Sequence, residues 1–400
     1  MGKMSMLAIA VGLICGAFKQ PASSQSHRHR TAQRGSVIAV EQIGAIDRTK
    51  LQSIAAELPG GIAVANGARL LRVTYWTIWK GRAARASGLV ALPDGTAAKG
   101  VVMYLHGTNA TRALAPSQPR RVDGNEETAV FAGNGYVVVL PDYLGLGAST
   151  VPQPYLIVQP QVDASIDLLR AVTWVRRANR DIGQDYKLQS KLMMMGFSQG
   201  GQVVAGVHRA IERQPLPDYR LAGSVGIAGP YDLLTASRQI ATQTRCRPCV
   251  GYLTWAAYAY ATYYGRPLSA VFWPGYARAV PPLFDGSKTA AEIGAALPED
   301  PAAMFRPAYL AAMRGDGDNW FTAALRRNQT YAWAPVAPFR LYVGDEDHDV
   351  PPAASRALFD YARKRGGAVR LFPVQADHQG SAALAYAPTL AWFDTLAKGR

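Results

Sequence analysis

The chain has 400 residues, 49% of them apolar, and a formal net charge of +15. That length and apolar content can bury a sizeable core and point to one body carrying an insertion. The Arg and Lys residues are scattered, with no basic run interleaved with stacking aromatics. Nucleic acid is therefore excluded as a partner, and the charge suits peripheral attraction to anionic surfaces, or solubility alone.

In chain order, Met1 to Met6 with Lys3 lead into an apolar run over 7–18, followed by a polar stretch with Pro21, Ser23, Ser24 and Ser26. This is the pattern of a secretory signal peptide over 1–25, and a secreted or periplasmic protein is expected. Ile14 before Cys15 lacks the small side chain that lipoprotein processing requires, so a lipid anchor is not expected. No later segment offers the roughly twenty uncharged apolar residues of a membrane span. Loss of Cys15 with the signal leaves Cys246 and Cys249, and an oxidising compartment predicts a local disulfide across Arg247-Pro248. Zinc would need two further ligands nearby, and redox chemistry would place the pair after a strand at a helix start; neither context is present.

Residues 26–70 form a leader and extension; the stretch 26–34 is polar and basic, and its His27 and His29 are expected to be solvated. From Arg72 the pattern turns to strand: Val73, Tyr75, Thr77 and Trp79 recur at period two, a second run covers 88–92, and Pro93-Asp94-Gly95 turns the chain, which predicts the sheet's first hairpin. Apolar runs follow at 101–105, 136–140, 191–195, 221–228, 339–343 and 369–374, with helices predicted over 163–178, 202–211 and 381–396. Continuous apolar strands alternating with helices predict an α/β fold: a mostly parallel central sheet flanked by helices. The core is expected over 71–230 and 332–400. Between them, 231–331 breaks the rhythm with Tyr252, Trp255, Tyr258, Tyr263, Tyr264, Phe272, Trp273 and Tyr276, and predicts an inserted helical cap whose aromatics chiefly pack and partly face a pocket. Asn328-Gln329-Thr330 matches a glycosylation acceptor, relevant only in a eukaryotic secretory route.

The densest chemical signal is Gly196-Phe197-Ser198-Gln199-Gly200-Gly201, between a predicted strand and a predicted helix. A serine on such a turn sits in a strained conformation above the sheet edge, with glycines on either side allowing close approach of backbone. Serine attacks only if a base takes its proton, and the base needs an acid to fix its tautomer. His378, in the loop after the last predicted strand, is the candidate base; His208 lies inside the helix after the serine, and His348 sits beside the expected acid. The candidate acid is Asp347, picked by the Gly-x-x-Asp-x-x-Val-Pro spacing from Gly344 to Pro351, with Asp345 and Asp349 as alternatives in the same loop. The backbone amides of Gln199 and Thr108 are the expected oxyanion donors, Thr108 because Gly107 lets the backbone approach. Asp142, in Pro141-Asp142-Tyr143-Leu144-Gly145-Leu146-Gly147, is expected to bond loop amides rather than act in catalysis.

His106-Gly107-Thr108, the segment 141–147, the motif at 196–201, the Gly344 to Pro351 loop and the late His378 together resemble the secretory lipase family and its bacterial relatives among the α/β-hydrolases. The likeness runs from about Val73 onward. It implies an α/β-hydrolase fold with a helical cap, lipase or esterase activity on acyl esters, and no cofactor; no metal is expected either, because no His and acid spacing on one helix resembles a zinc site. The family's residues match one for one: Ser198 as nucleophile, Asp347 as acid, His378 as base. The Cys246–Cys249 pairing is not part of that pattern. These motifs fix the fold better than the substrate. A peptidase of the same fold and a non-catalytic binding protein are the competing readings; hydrolysis of aminoacyl amides would mark the first, failure to react with a serine-directed phosphonate the second.

Overall fold

The computed structural model describes residues 32–95, 97–118, 125–178, 187–188, 190–243 and 247–399. The expected signal segment with Cys15, the leader histidines His27 and His29, and Cys246 lie outside the described residues.

Strands β1 (Val37–Ile46), β2 (Ala68–Trp79), β3 (Arg82–Pro93), β4 (Ala97–Ala98), β5 (Val101–Leu105), β6 (Val137–Pro141), β7 (Lys187–Leu188), β8 (Lys191–Phe197), β9 (Arg220–Ile227), β10 (Phe339–Gly344) and β11 (Val369–Val374) follow the chain. Nine of them form one sheet in the order β1-β2-β3-β6-β5-β8-β9-β10-β11, while β4 and β7 pair separately. The pairs from β1 to β6 are antiparallel and those from β6 to β11 parallel. Every residue of β5 and β6 is buried, as a parallel strand covered on both faces requires, whereas β2 alternates buried and half-buried positions.

Helices α1 (Arg48–Ala56), α2 (Glu126–Phe131) and α12 (His378–Lys398) supply apolar residues to the core on one face of the sheet. Helices α3 (Val158–Ala178), α4 (Gln199–Arg213) and α11 (Pro352–Arg363) supply the other. The insertion between β9 and β10 carries α5 (Leu233–Thr242), α6 (Arg247–Tyr264), α7 (Pro274–Ala279), α8 (Ala290–Ala296), α9 (Pro307–Arg314) and α10 (Trp320–Arg327). This cap has its own core, in which Trp255, Tyr260, Phe272, Phe305 and Phe321 are buried. Tyr260 and Phe321 meet edge to face at 5.0 Å, and Phe305 stacks on Tyr309 at 5.4 Å, geometries that favour aromatic pairs.

Three features differ from the sequence reading. The hairpin β2–β3 is not the first element of the sheet: β1 and α1 precede it within the segment expected as leader and extension. Most residues of β1 are exposed or half-exposed, so its sequence carries no clean alternation, and α1 is announced only by the Asp47 carboxylate accepting the Lys50 amide at 2.8 Å. The last helix begins at His378 rather than 381, capped by Asp377, which accepts the Gly380 amide at 2.7 Å. Asn328 is buried: its side chain accepts from the Val158 amide and donates to Tyr264 Oη and the Ala324 carbonyl, so it is closed to a glycan. Cys249 is disulfide-bonded. Among the described residues no helix is long and apolar enough to cross a membrane.

Candidate active site

Ser198 occupies the single residue between β8 and α4, with φ 55° and ψ −120°, a region that residues with a side chain rarely adopt. Packing on both flanks holds it there. The Ser198 amide donates to the Ile227 carbonyl at 2.9 Å, and the Ser198 carbonyl accepts from Gly201 at 2.8 Å. A side chain at Gly196 would strike the Gly200 backbone, and one at Gly200 would strike the Leu105 carbonyl, so β5, β8 and α4 meet at this corner only because both residues are glycine. Helix α4 is anchored by buried Val203, Val204, Val207 and Ile211, and its amino-terminal end, with the positive end of its dipole, opens beside Ser198.

His378 stands in the first turn of α12, buried against the Phe197 ring at 4.8 Å between centroids. Its Nε2 lies 2.9 Å from Ser198 Oγ and its Nδ1 lies 2.7 Å from Asp347 Oδ2. The other carboxylate oxygen of Asp347 accepts the amides of Asp349 and Val350 at 3.0 and 2.8 Å, which locks the buried acid in its turn. Gly344 leaves room for this turn, because a side chain there would meet the Ala376 carbonyl. The alternatives fall elsewhere. Asp345 is exposed and 4.0 Å from Arg356, His348 is exposed, and His208 is buried between Ser224 and Glu212. Asp349 is half-buried and lines a cavity beside the serine, but it is Asp347 that meets the imidazole.

The loop after β5 faces the serine from the opposite side. No backbone carbonyl among the described residues takes the amides of Thr108 or Gln199. The loop is held by the segment after β6: Tyr143 Oη donates to the His106 carbonyl at 3.1 Å, and the His106 ring stacks against that of Tyr143 at 4.1 Å. Asp142 is fully buried; it accepts the Ser117 amide at 2.8 Å and the hydroxyls of Ser117 and Ser87 at 2.5 Å each, so it braces loops and does not reach the serine. Burial raises its pKa, opposed by the Ser117 and Ser87 hydroxyls.

Sequence patterns gave no sign of the cap's attachment to this loop. Thr108 Oγ1 meets Tyr155 Oη at 3.2 Å, Tyr155 stacks on Trp255 of α6 at 4.3 Å, and Trp255 stacks on Phe284 at 5.3 Å. The Arg112 amide donates to the Gly286 carbonyl at 2.8 Å, and the Thr111 hydroxyl to the Lys288 carbonyl at 2.9 Å.

Two cavities open on Ser198, Thr108 and His378. The larger, about 510 Å³, is bounded by Tyr104, His106, Asn125, Glu126, Glu127 and Tyr386 and is polar. Tyr386 Oη donates to Glu127 Oε1 at 3.0 Å in its wall. The smaller, about 40 Å³, lies under the cap and is walled by Leu156, Leu233, Ile240, Leu253, Ala256 and Val350, with Gln199 at its floor beside the serine. Of the cap aromatics expected to face a pocket, Tyr252 lines both cavities, while Trp255 and Phe272 belong to the cap's own core. Among the described residues no group of His, Cys, Asp and Glu side chains converges to hold a metal ion.

No family model and no curated protein sequence matches the chain. Solved structures do. A rice cell wall degrading esterase, LipA from Xanthomonas oryzae, is 26% identical with a TM-score of 0.79, over 92% of this chain and 100% of that one. A candidate hydrolase of Legionella pneumophila is 25% identical with a TM-score of 0.82, over 91% and 99%. Lipase A of Candida antarctica in its closed state, 14% identical with a TM-score of 0.70 over 92% and 83%, shares the fold.

Proposed function

We propose that this chain, an α/β-hydrolase of the esterase and lipase kind, cleaves carboxylic esters through an acyl-enzyme on Ser198. The observation that carries the reading is the continuous relay from Asp347 through His378 to Ser198, at 2.7 and 2.9 Å. His378 Nε2 takes the Ser198 proton as Oγ attacks the ester carbonyl. The buried Asp347 carboxylate keeps the Nδ1 proton in place and stabilises the imidazolium that forms. The Gln199 and Thr108 amides and the amino-terminal end of α4 meet the tetrahedral oxyanion, a role in which one donor is worth about a hundredfold to a thousandfold in kcat. His378 then protonates the departing alkoxide, and a water activated by the same imidazole releases the acid. The apolar cavity under the cap suits the acyl chain and the polar cavity the alcohol. The acyl cavity is the smaller of the two, at about 40 Å³, and short acyl chains are the substrates expected to fit it.

The signal-like segment over 1–25 supports export of the enzyme, which immunoblotting of cell and culture fractions tests. Hydrolysis of p-nitrophenyl esters from acetyl to palmitoyl tests the activity. The expected profile peaks at short chains and disappears in Ser198→Ala; an undiminished Ser198→Ala would remove the proposal.

A further inference from the structure

We infer that the larger cavity beside Ser198 is a leaving-group subsite for alcohols that carry a positively charged ammonium group, with Glu126 as the charge that selects them. The inference rests on the ester-hydrolase reading above and names its alcohol class. With the acyl chain assigned to the small cavity under the cap, the alcohol has the larger one, about 510 Å³, which opens on Ser198 and His378. The chain holds 43 Lys and Arg against 28 Asp and Glu. The described lining of this cavity reverses that balance: Glu126 and Glu127 border it, and no Lys or Arg does. Much of the remaining wall is aromatic, from Tyr104, Phe197, Tyr252 and Tyr386, with the Tyr104 and Tyr386 rings stacked at 6.4 Å.

The two carboxylates are placed differently. Glu127 is buried and accepts the Tyr386 hydroxyl at 3.0 Å. Glu126 is half-buried, and among the described residues its carboxylate takes neither a hydrogen bond nor an ion pair. Its charge still reaches the wall: the Tyr104 and Tyr386 hydroxyls are held well above their ordinary pKa, first by burial, then by the Glu127 charge, with Glu126 adding to both. Both acids stand in the first turn of α2, where a carboxylate also suits the helix dipole. That benefit is indifferent to what occupies the cavity, whereas ring faces beside an unpaired carboxylate are not. Ring faces attract a cation, and the carboxylate adds a direct Coulomb attraction. An anionic alcohol would be repelled by the same charge, and a neutral one gains nothing from it.

The test compares kcat/KM for butyrylcholine and 3,3-dimethylbutyl butyrate, which share an acyl group and have alcohols of one shape, the first with a charged nitrogen where the second has carbon. In the wild-type enzyme the choline ester is expected to be preferred by about fivefold or more. In Glu126→Gln the ratio is expected to fall about fivefold, the scale of one half-exposed charge contact. The intrinsic reactivities of the two esters cancel when the ratio is compared between enzymes. Melting temperatures taken in parallel isolate a purely structural role: a less stable Glu126→Gln with an unchanged ratio overturns the inference, as does a wild-type ratio of one or below. Should Glu126→Gln not fold, the wild-type ratio and its fall with added salt decide, because a half-exposed charge is screened. If the wild-type enzyme cleaves neither ester, nor any of the p-nitrophenyl series, it is the ester-hydrolase reading that fails, and the inference with it.

Discussion

Replacing Asp347 by asparagine tests the relay at the point where geometry and proton position separate. The oxygen of the introduced side-chain amide can keep the Val350 and Asp349 amides that Asp347 Oδ1 now accepts at 2.8 and 3.0 Å, so the turn survives. The introduced nitrogen then faces His378 Nδ1 across the present 2.7 Å contact and donates where a carboxylate accepted. His378 must carry its proton on Nε2, pointing at Ser198, and cannot take another without an uncompensated charge. A tautomer trapped this way costs about ten-thousandfold in kcat, or about 5 kcal/mol at about 1.36 kcal/mol per tenfold. The assay is kcat on a short p-nitrophenyl ester, with the melting temperature measured in parallel. Asp345→Asn and Asp349→Asn, whose carboxylates do not touch the imidazole, should stay within about threefold of wild type. An Asp347→Asn enzyme keeping more than a tenth of its kcat, or a comparable collapse in Asp349→Asn, would refute the assignment of the acid.

Other consequences are equally direct. Leu253→Ala should widen the acyl cavity and move the peak of the chain-length profile to longer esters; an unmoved peak would mean the acyl chain lies elsewhere. Gly200→Ala drives a methyl group into the Leu105 carbonyl, a backbone atom that cannot swing away, so a loss of at least about 3 kcal/mol is expected in urea unfolding. Burial holds the His208 imidazole below its ordinary pKa, against the opposing pull of Glu212. The unfolded chain therefore binds the proton first, and this residue's contribution is present above about pH 6.5 and is lost over the window below it. Melting temperatures across that window should slope less in His208→Gln than in wild type; parallel slopes would show that other groups set the acid limit.

The parts of this fold that could be read from sequence are those where one local pattern has one physical meaning. Buried parallel strands such as β5 and β6 leave unbroken apolar runs, and a strained serine between strand and helix demands small neighbours at 196 and 200. The acid loop was legible in the sequence, where the Gly-x-x-Asp-x-x-Val-Pro spacing picks Asp347 over Asp345 and Asp349, and in the fold it is Asp347 that meets His378. Strand β1 was opaque because an exposed outer strand has little reason to alternate. The contact of Thr108 with Tyr155 and the place of Glu126 in the cavity wall have no sequence signal at all. Both depend on what a distant segment places opposite a side chain.

The stack from Tyr155 through Trp255 to Phe284, with the bonds from Thr111 and Arg112 to 286–288, makes the roof and the loop beside the serine a single mechanical part. A roof of this kind does not lift like a hinged lid over an armed enzyme. On the mechanism proposed above, raising it would carry Thr108 away from the reacting carbonyl, so the enzyme would be competent only while closed. Amide exchange at 108–112 and at 285–288 should then speed up and slow down together, with the cap lending its own stability to the timing of catalysis.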